Sequence, residues 1–390
     1  MDKNLERNME NDAEKVLGQR SREDIIEWKN FSEKTAIVDM LWVFRTVGIF
    51  NDVNREYSMQ EIESALNPVK EFEHIIRRWL GVLVKEGIIK QTEESVYILT
   101  EKGNILPDRD DIWGEFKRLE DRVDYSAILW EYQKKSSDSL LDQIRGRVSG
   151  LDLLFPRGDT KIADAAYHSN VVNGMLNEAV STAINLLVIQ KAKDNRVVRI
   201  LEIGAGVGGT TRTVIKNLPK NNISYKFTDV SNFFINMARK QYEKYDFMEY
   251  GIYDINIPFE KQSLEENSFD IILAANVIHN ARNLPDYFKE LKRLLKHNGT
   301  LVVLEAMYDF YSLLTSVEMS VLKSGEDRFT DIRSGKEKIM YSEQEWENLF
   351  VSEGMELLAS YPPKESTLNE IGQKVFVVNV KADEIVTMTI

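Results

Sequence analysis

The chain has no cysteine in 390 residues. That excludes disulfides, a thiol nucleophile and thiolate metal sites, and it fits a reducing cytoplasm. Positive charge is in deficit, since 50 Lys and Arg face 63 Asp and Glu for a net charge of −13. This balance argues against nonspecific binding to nucleic acid or to an anionic membrane. The opening stretch, Met1 to Arg20, is polar and charged rather than apolar, so no signal peptide is expected. No run reads as long and apolar enough to cross a bilayer, and no internal repeat or low-complexity tract is visible. The hydrophobic share of 43% suffices for a sizeable core, and the length implies two domains or one with large additions.

What is present centres on Val198 to Thr211. A β-branched apolar run stops at Gly204, Gly206, Gly208 and Gly209, and helical spacing follows, which predicts strand, tight loop, helix. Such a loop lets a ligand approach backbone, with the N–H groups of the next helix as donors. Glu202, at the end of the strand, is unusual for a pyrophosphate site. A carboxylate there repels phosphate, whereas the α-amino group of an amino-acid-like ligand is drawn toward it. The loop also satisfies the dinucleotide pattern through Gly204, Gly206 and Gly209, so alone it decides little.

In chain order, residues before about Asp24 read as a mobile or helical polar arm. Ala36 to Val47 has helical spacing, Ser58-Met-Gln-Glu61 is a capping box, and a third helix through Ile75, Trp79 and Leu83 precedes two short strands around Ile89 and Val96. Three helices and a hairpin resemble a winged helix. Its third helix mixes Arg77, Arg78 and Lys85 with Glu71, Glu73 and Glu86, a poor match to phosphates, so packing or dimerisation is the preferred reading over DNA binding. His74 reads as a half-buried helix residue. From Asp110 to Lys193 the pattern is helical and broken, and Tyr167, Asn170 and Asn173 share a face of a long helix expected over Ala163 to Gln190. The expected divisions are 1–109 (winged-helix-like), 110–193 (helical lid and linker) and 194–390 (core).

From Arg199 onward strands and helices alternate, which predicts an α/β fold with a largely parallel, doubly covered sheet. The second strand ends at Asp229, placed to accept from both ribose hydroxyls of a nucleoside, with Val230 following. The third ends at Asp254 and Ile255, an acceptor for an adenine amino group and an apolar surface for its ring. The fourth, Phe269 to Ala275, leads into Asn276-Val-Ile-His279, and the fifth, Leu301 to Leu304, closes on Glu305. If strands four and five are neighbours, His279 and Glu305 emerge together, and a carboxylate beside an imidazole makes it a better base. His168 and His297 stand in less suggestive places.

Three acids after three successive strands resemble the Rossmann-like methyltransferases that use S-adenosylmethionine. Leu201-Glu-Ile-Gly-Ala-Gly-Val-Gly-Gly-Thr-Thr211, Phe227-Thr-Asp-Val-Ser231, Ala274-Ala-Asn-Val-Ile-His279 and Leu151-Asp-Leu-Leu-Phe-Pro156 narrow the resemblance to methyltransferase domains of polyketide and mixed polyketide/peptide synthases. The resemblance implies S-adenosylmethionine as cofactor and S-adenosylhomocysteine as product. Glu202, Gly204, Gly206, Gly208, Asp229, Val230, Asp254, Ile255 and Asn276 would bind it, His279, Glu305 and Tyr167 would be catalytic, and no metal is needed. It further implies an acyl carrier protein bearing a phosphopantetheine-linked chain, and membership of a larger synthase. One departure bears on the acceptor atom. Carbon-methylating relatives follow the glutamate with Phe-Gly-Leu and Gly-Trp-Trp segments, whereas Met307 to Glu318 and Arg328 to Arg333 here look more like oxygen-methylating relatives. The expectation is therefore O-methylation of a β-hydroxyl, with C-methylation of an α-carbon, a small-molecule O-methyltransferase and a noncatalytic or DNA-binding module as alternatives.

Overall fold

A computed structural model describes residues 2–192, 196–320 and 329–380. The N-terminal part holds strands β1 (Glu56–Ser58), β2 (Ile89–Glu93) and β3 (Val96–Leu99), in antiparallel order β1-β3-β2. Ser58 and Glu61 form the capping box that starts the helix Met59–Leu66, and Asn67 ends it in the left-handed region. Phe44, Phe50, Tyr57 and Trp79 make edge-on ring contacts in the core between the helices Arg22–Thr46 and Glu73–Lys85 and this small sheet.

Arg78 is buried in an ion-pair cluster with Glu318 and Asp309, and Trp79 donates from Nε1 to the carbonyl of Leu314 at 3.1 Å. The third helix thus turns its guanidinium inward, onto the segment that follows the fifth strand of the main sheet. It does not present that charge to a phosphate backbone.

The large sheet comprises β4 (Val198–Ile203), β5 (Ile223–Asp229), β6 (Met248–Ile252), β7 (Phe269–Ala275), β8 (Leu295–Ala306), β9 (Met355–Tyr361) and β10 (Gln373–Val380), in the order β6-β5-β4-β7-β8-β10-β9. The five strands from β6 to β8 are parallel, and β10 runs against both of its neighbours. The strand order switches sides at β4, whose crossover leads to β5 on one side while β7 lies on the other, and such a switch point opens a crevice at the carboxyl ends of the strands.

Two expectations are corrected here. Lys3–Leu17 is a helix, started by Asp2 accepting from the N–H groups of Asn4 and Leu5. It buries Leu5, Met9, Ala13 and Leu17 against the helix Val171–Lys191 and β9. Its charged composition concealed an apolar stripe at helical spacing. Val171–Lys191 is itself long and apolar enough to cross a bilayer, but most of it is buried between the helix Lys3–Leu17 and the sheet, so its apolarity is that of a largely buried core helix.

Candidate active site

Loop geometry begins with the glycines. Gly204, Gly206 and Gly208 have φ of 60°, 54° and 75°, a region costly for residues with a Cβ. A Cβ at Gly204 would lie 2.2 Å from Cγ2 of Val277, and one at Gly209 would lie 2.7 Å from the carbonyl oxygen of Tyr167. At Gly206 the same construction meets only the Gly204 carbonyl, at 4.0 Å. Gly204 and Gly209 therefore bring backbone segments together, and Gly206 leaves the room a ligand requires.

Glu202 stands near the carboxyl end of β4. It is buried, its Oε2 accepting from Oγ1 of Thr211 at 2.6 Å and from the Tyr225 hydroxyl at 2.8 Å. Burial pushes its carboxyl up to about 7, against those two hydrogen bonds. This oxygen ties β4 to the helix after the loop and to β5, so Glu202 shapes the loop from beneath. Asp229 accepts from the N–H of Gly206 at 2.9 Å and of Ser231 at 2.8 Å, leaving acceptor capacity on each oxygen. Asp254 accepts from the N–H of Asn256 at 2.9 Å; Ile255 is half-buried beside it and Val230 is 63% exposed. An open cradle at Gly206, acceptor carboxylates on successive strands and an apolar side chain still uncovered fit a nucleoside with an amino-acid tail.

At the next strand ends, β7 and β8 pair in parallel and bring His279 and Glu305 together. Nδ1 of His279 lies 2.7 Å from Oε2 of Glu305. The other oxygen accepts from the N–H groups of Val277, Ile278 and His279 at 2.9, 2.8 and 3.3 Å. Glu305 is fully buried, and these donors fix its orientation. An ionised partner at Nδ1 places the imidazole proton there and leaves the lone pair on Nε2.

Arg333 was not foreseen as part of the site. It is buried, bonded to Asp331 at 2.6 Å, and donates to the carbonyls of His279 at 2.6 Å and Ala281 at 2.7 Å. It clamps the histidine turn from behind. The spacing Asp331-x-Arg333 was the available signal, but only the fold brings it to residue 279. Arg328 lies outside the described residues.

Nor does the polar face expected of Tyr167, Asn170 and Asn173 exist on one helix. The helix Lys161–Tyr167 ends, and Asn170 caps a second, Val171–Lys191, accepting from the N–H of Asn173 at 2.8 Å. The two asparagines donate to the carbonyls of Ala165 and Ala166, both at 2.7 Å. Asn177 donates to the carbonyl of Tyr167 at 3.0 Å and accepts from Thr210 at 2.8 Å. These amides fix Tyr167 above the glycine loop. Desolvation first, then the charge of Glu305, raise its phenol above the ordinary tyrosine range.

Tyr167, Asn276, His279 and Asn280 line a cavity of about 400 Å³ that extends past Tyr132 and Gln133 to Glu33 on the N-terminal helix Arg22–Thr46. The cavity is thus walled partly by the winged-helix-like portion. Among the described residues, Tyr132 Oη, Gln133 Oε1 and Gln373 Oε1 are buried on its wall without a hydrogen-bond partner, which is costly unless a polar group enters the cavity.

Residues 201–301 match the family model described as a methyltransferase domain. Pyochelin synthetase PchF of Pseudomonas aeruginosa is 28% identical over 80% of this chain, and polyketide synthase PksM of Bacillus subtilis is 29% identical over 59%. The chain is an S-adenosylmethionine-dependent methyltransferase, similar to segments of polyketide and mixed polyketide/peptide synthases. It matches 17% of the length of PchF and 6% of PksM. Its fold is that of the CurJ carbon methyltransferase, with TM-score 0.83, 21% identity and coverage of 97% of this chain and 99% of that one. The trans-methyltransferase CalH, solved in complex with SAH, aligns with TM-score 0.62 and 21% identity over 93% of each chain.

Proposed function

We propose that this methyltransferase acts on the α-carbon of a β-ketoacyl chain held by the phosphopantetheine arm of an acyl carrier protein within a larger synthase. The observation that carries the reading is the orientation of His279. Glu305 engages Nδ1, so Nε2 is the nitrogen left to act as base toward the chamber that His279 lines. When bound, S-adenosylmethionine supplies an electrophilic methyl group on a sulfonium. Gly204 to Gly209 and Asp229 orient it, Asp254 and Ile255 receive the adenine, and Val230 and Asn276 border it. His279 removes the acceptor proton and Glu305 stabilises the imidazolium. Tyr167 closes the space between cofactor and acceptor. Alignment of the two substrates supplies several kcal/mol of the barrier reduction, on the order seen for oriented reactants.

The α-hydrogen between a ketone and a thioester is acidic enough for an imidazole base, and a solved protein with the same fold is named a carbon methyltransferase. Both considerations favour carbon over oxygen. The oxygen reading retains one support, the absence of a Gly-Trp-Trp segment after Glu305. Asp331 and Arg333 in that segment serve to clamp residues 279–281, a task independent of the acceptor atom. Mass spectrometry of β-ketoacyl and β-hydroxyacyl carriers, each α-deuterated, separates the two. Methylation of the ketone with loss of α-deuterium beyond a no-enzyme control supports carbon transfer. A methyl ether on the hydroxyl with both deuteriums retained overturns it.

A further inference from the structure

Asn280 is placed where the His279–Glu305 pair alone gives it no task. Its Nδ2 donates to the carbonyl of Val277 at 3.2 Å and lies 3.1 Å from Nε2 of His279. The carbonyl contact sets which way the amide points, because only its nitrogen side can face an oxygen acceptor. In the tautomer that directs the Nδ1 proton at Glu305, Nε2 is the acceptor of the second amide N–H. A hydrogen-bond donor therefore rests on the very atom that must take the substrate proton, and both side chains line the chamber.

We propose that Asn280 is a catalytic donor whose N–H passes from His279 to the enolate oxygen of the acceptor as the proton moves. The proposal rests on the carbon-methylation reading. When the α-C–H bond breaks, its proton goes to Nε2 and its electron pair becomes the enolate, with charge on the carbonyl oxygen. Protonated Nε2 is itself a donor and no longer accepts from Asn280. The released N–H then has the new oxyanion as its acceptor, while Glu305 balances the imidazolium. The enolate carbon next takes the methyl group, the S–C electron pair stays on sulfur, and S-adenosylhomocysteine leaves. One donor thus holds the base in its accepting form and then stabilises the charge that the base creates.

The test measures α-hydrogen exchange of the N-acetylcysteamine thioester of 3-ketobutyrate in D₂O, by NMR, beside calorimetric affinity for S-adenosylhomocysteine. Asn280→Ala is expected to slow exchange about a hundredfold with cofactor affinity within about threefold of wild type. Asn280→Asp keeps the size and removes the donor. A carboxylate beside imidazole strengthens the base and shifts the pH profile upward, yet the proposal still requires slow exchange, because nothing donates to the enolate. Exchange within threefold of wild type in either variant overturns the role of Asn280 and leaves carbon methylation standing. A wild-type enzyme that exchanges no α-hydrogen and methylates a hydroxyl overturns both.

Discussion

Glu305 and His279 are joined twice, once from Oε2 to the ring Nδ1 at 2.7 Å and once from Oε1 to the backbone N–H at 3.3 Å. The carboxylate thereby fixes both the turn that presents the imidazole and the tautomer it presents. Glu305→Gln removes the charge and puts an amide donor where an acceptor is needed. The rate of methyl transfer is expected to fall about 10²-fold or more, with cofactor affinity nearly unchanged. His279→Ala is expected to abolish turnover. Single-turnover kinetics check both, and near wild-type turnover of His279→Ala would sink the assignment of the base.

A substitution at Asp229 is expected to separate cofactor binding from chemistry. Its carboxylate holds the N–H of Gly206 and has capacity left for ribose hydroxyls. Asp229→Ala is expected to weaken S-adenosylmethionine and S-adenosylhomocysteine equally, by about 1–3 kcal/mol. Calorimetry with both ligands decides it, and unchanged affinity for either counts against the ribose contact.

Gly204 couples the two halves of the site. An added methyl at φ 60° would meet Cγ2 of Val277 at 2.2 Å, and the N–H of Val277 donates to Glu305. Gly204→Ala is therefore expected to lower cofactor affinity and also the rate at saturating cofactor, each about tenfold or more. A loss confined to affinity would show that the displacement does not reach Glu305.

Glu202 gives the ligand-free protein a pH-dependent stability. Its folded value, about 7, lies above the ordinary 4.5 because burial disfavours the charged form. The folded state then binds more protons than the unfolded state between those values, so this group's contribution to stability falls as pH rises through that window. The fall is on the order of 3 kcal/mol. Urea unfolding at pH 5 and pH 8 is expected to show a larger loss for wild type than for Glu202→Gln; parallel losses would place the titration elsewhere.

The strand-loop-helix, the acids at successive strand ends and the His279–Glu305 pair were legible in the sequence because each is local, or follows from the rule that consecutive βαβ units place strand ends side by side. Apolar periodicity announces such strands, and glycines announce a loop that needs positive φ. Glu202 shows where that reading stops. Its position was evident, but whether its carboxylate faces the ligand or the loop depends on Thr211 and Tyr225, which arrive from different elements. The packing of the N-terminal helix was hidden because its stripe has meaning only against Val171–Lys191, 154 or more residues away along the chain. The chamber, the Arg333 clamp and the amide of Asn280 on Nε2 were likewise decided only by tertiary structure. Each depends on distances between segments remote in sequence, and a hydrogen bond distinguishes partner from bystander within a few tenths of an ångström, a resolution that spacing along a chain does not carry.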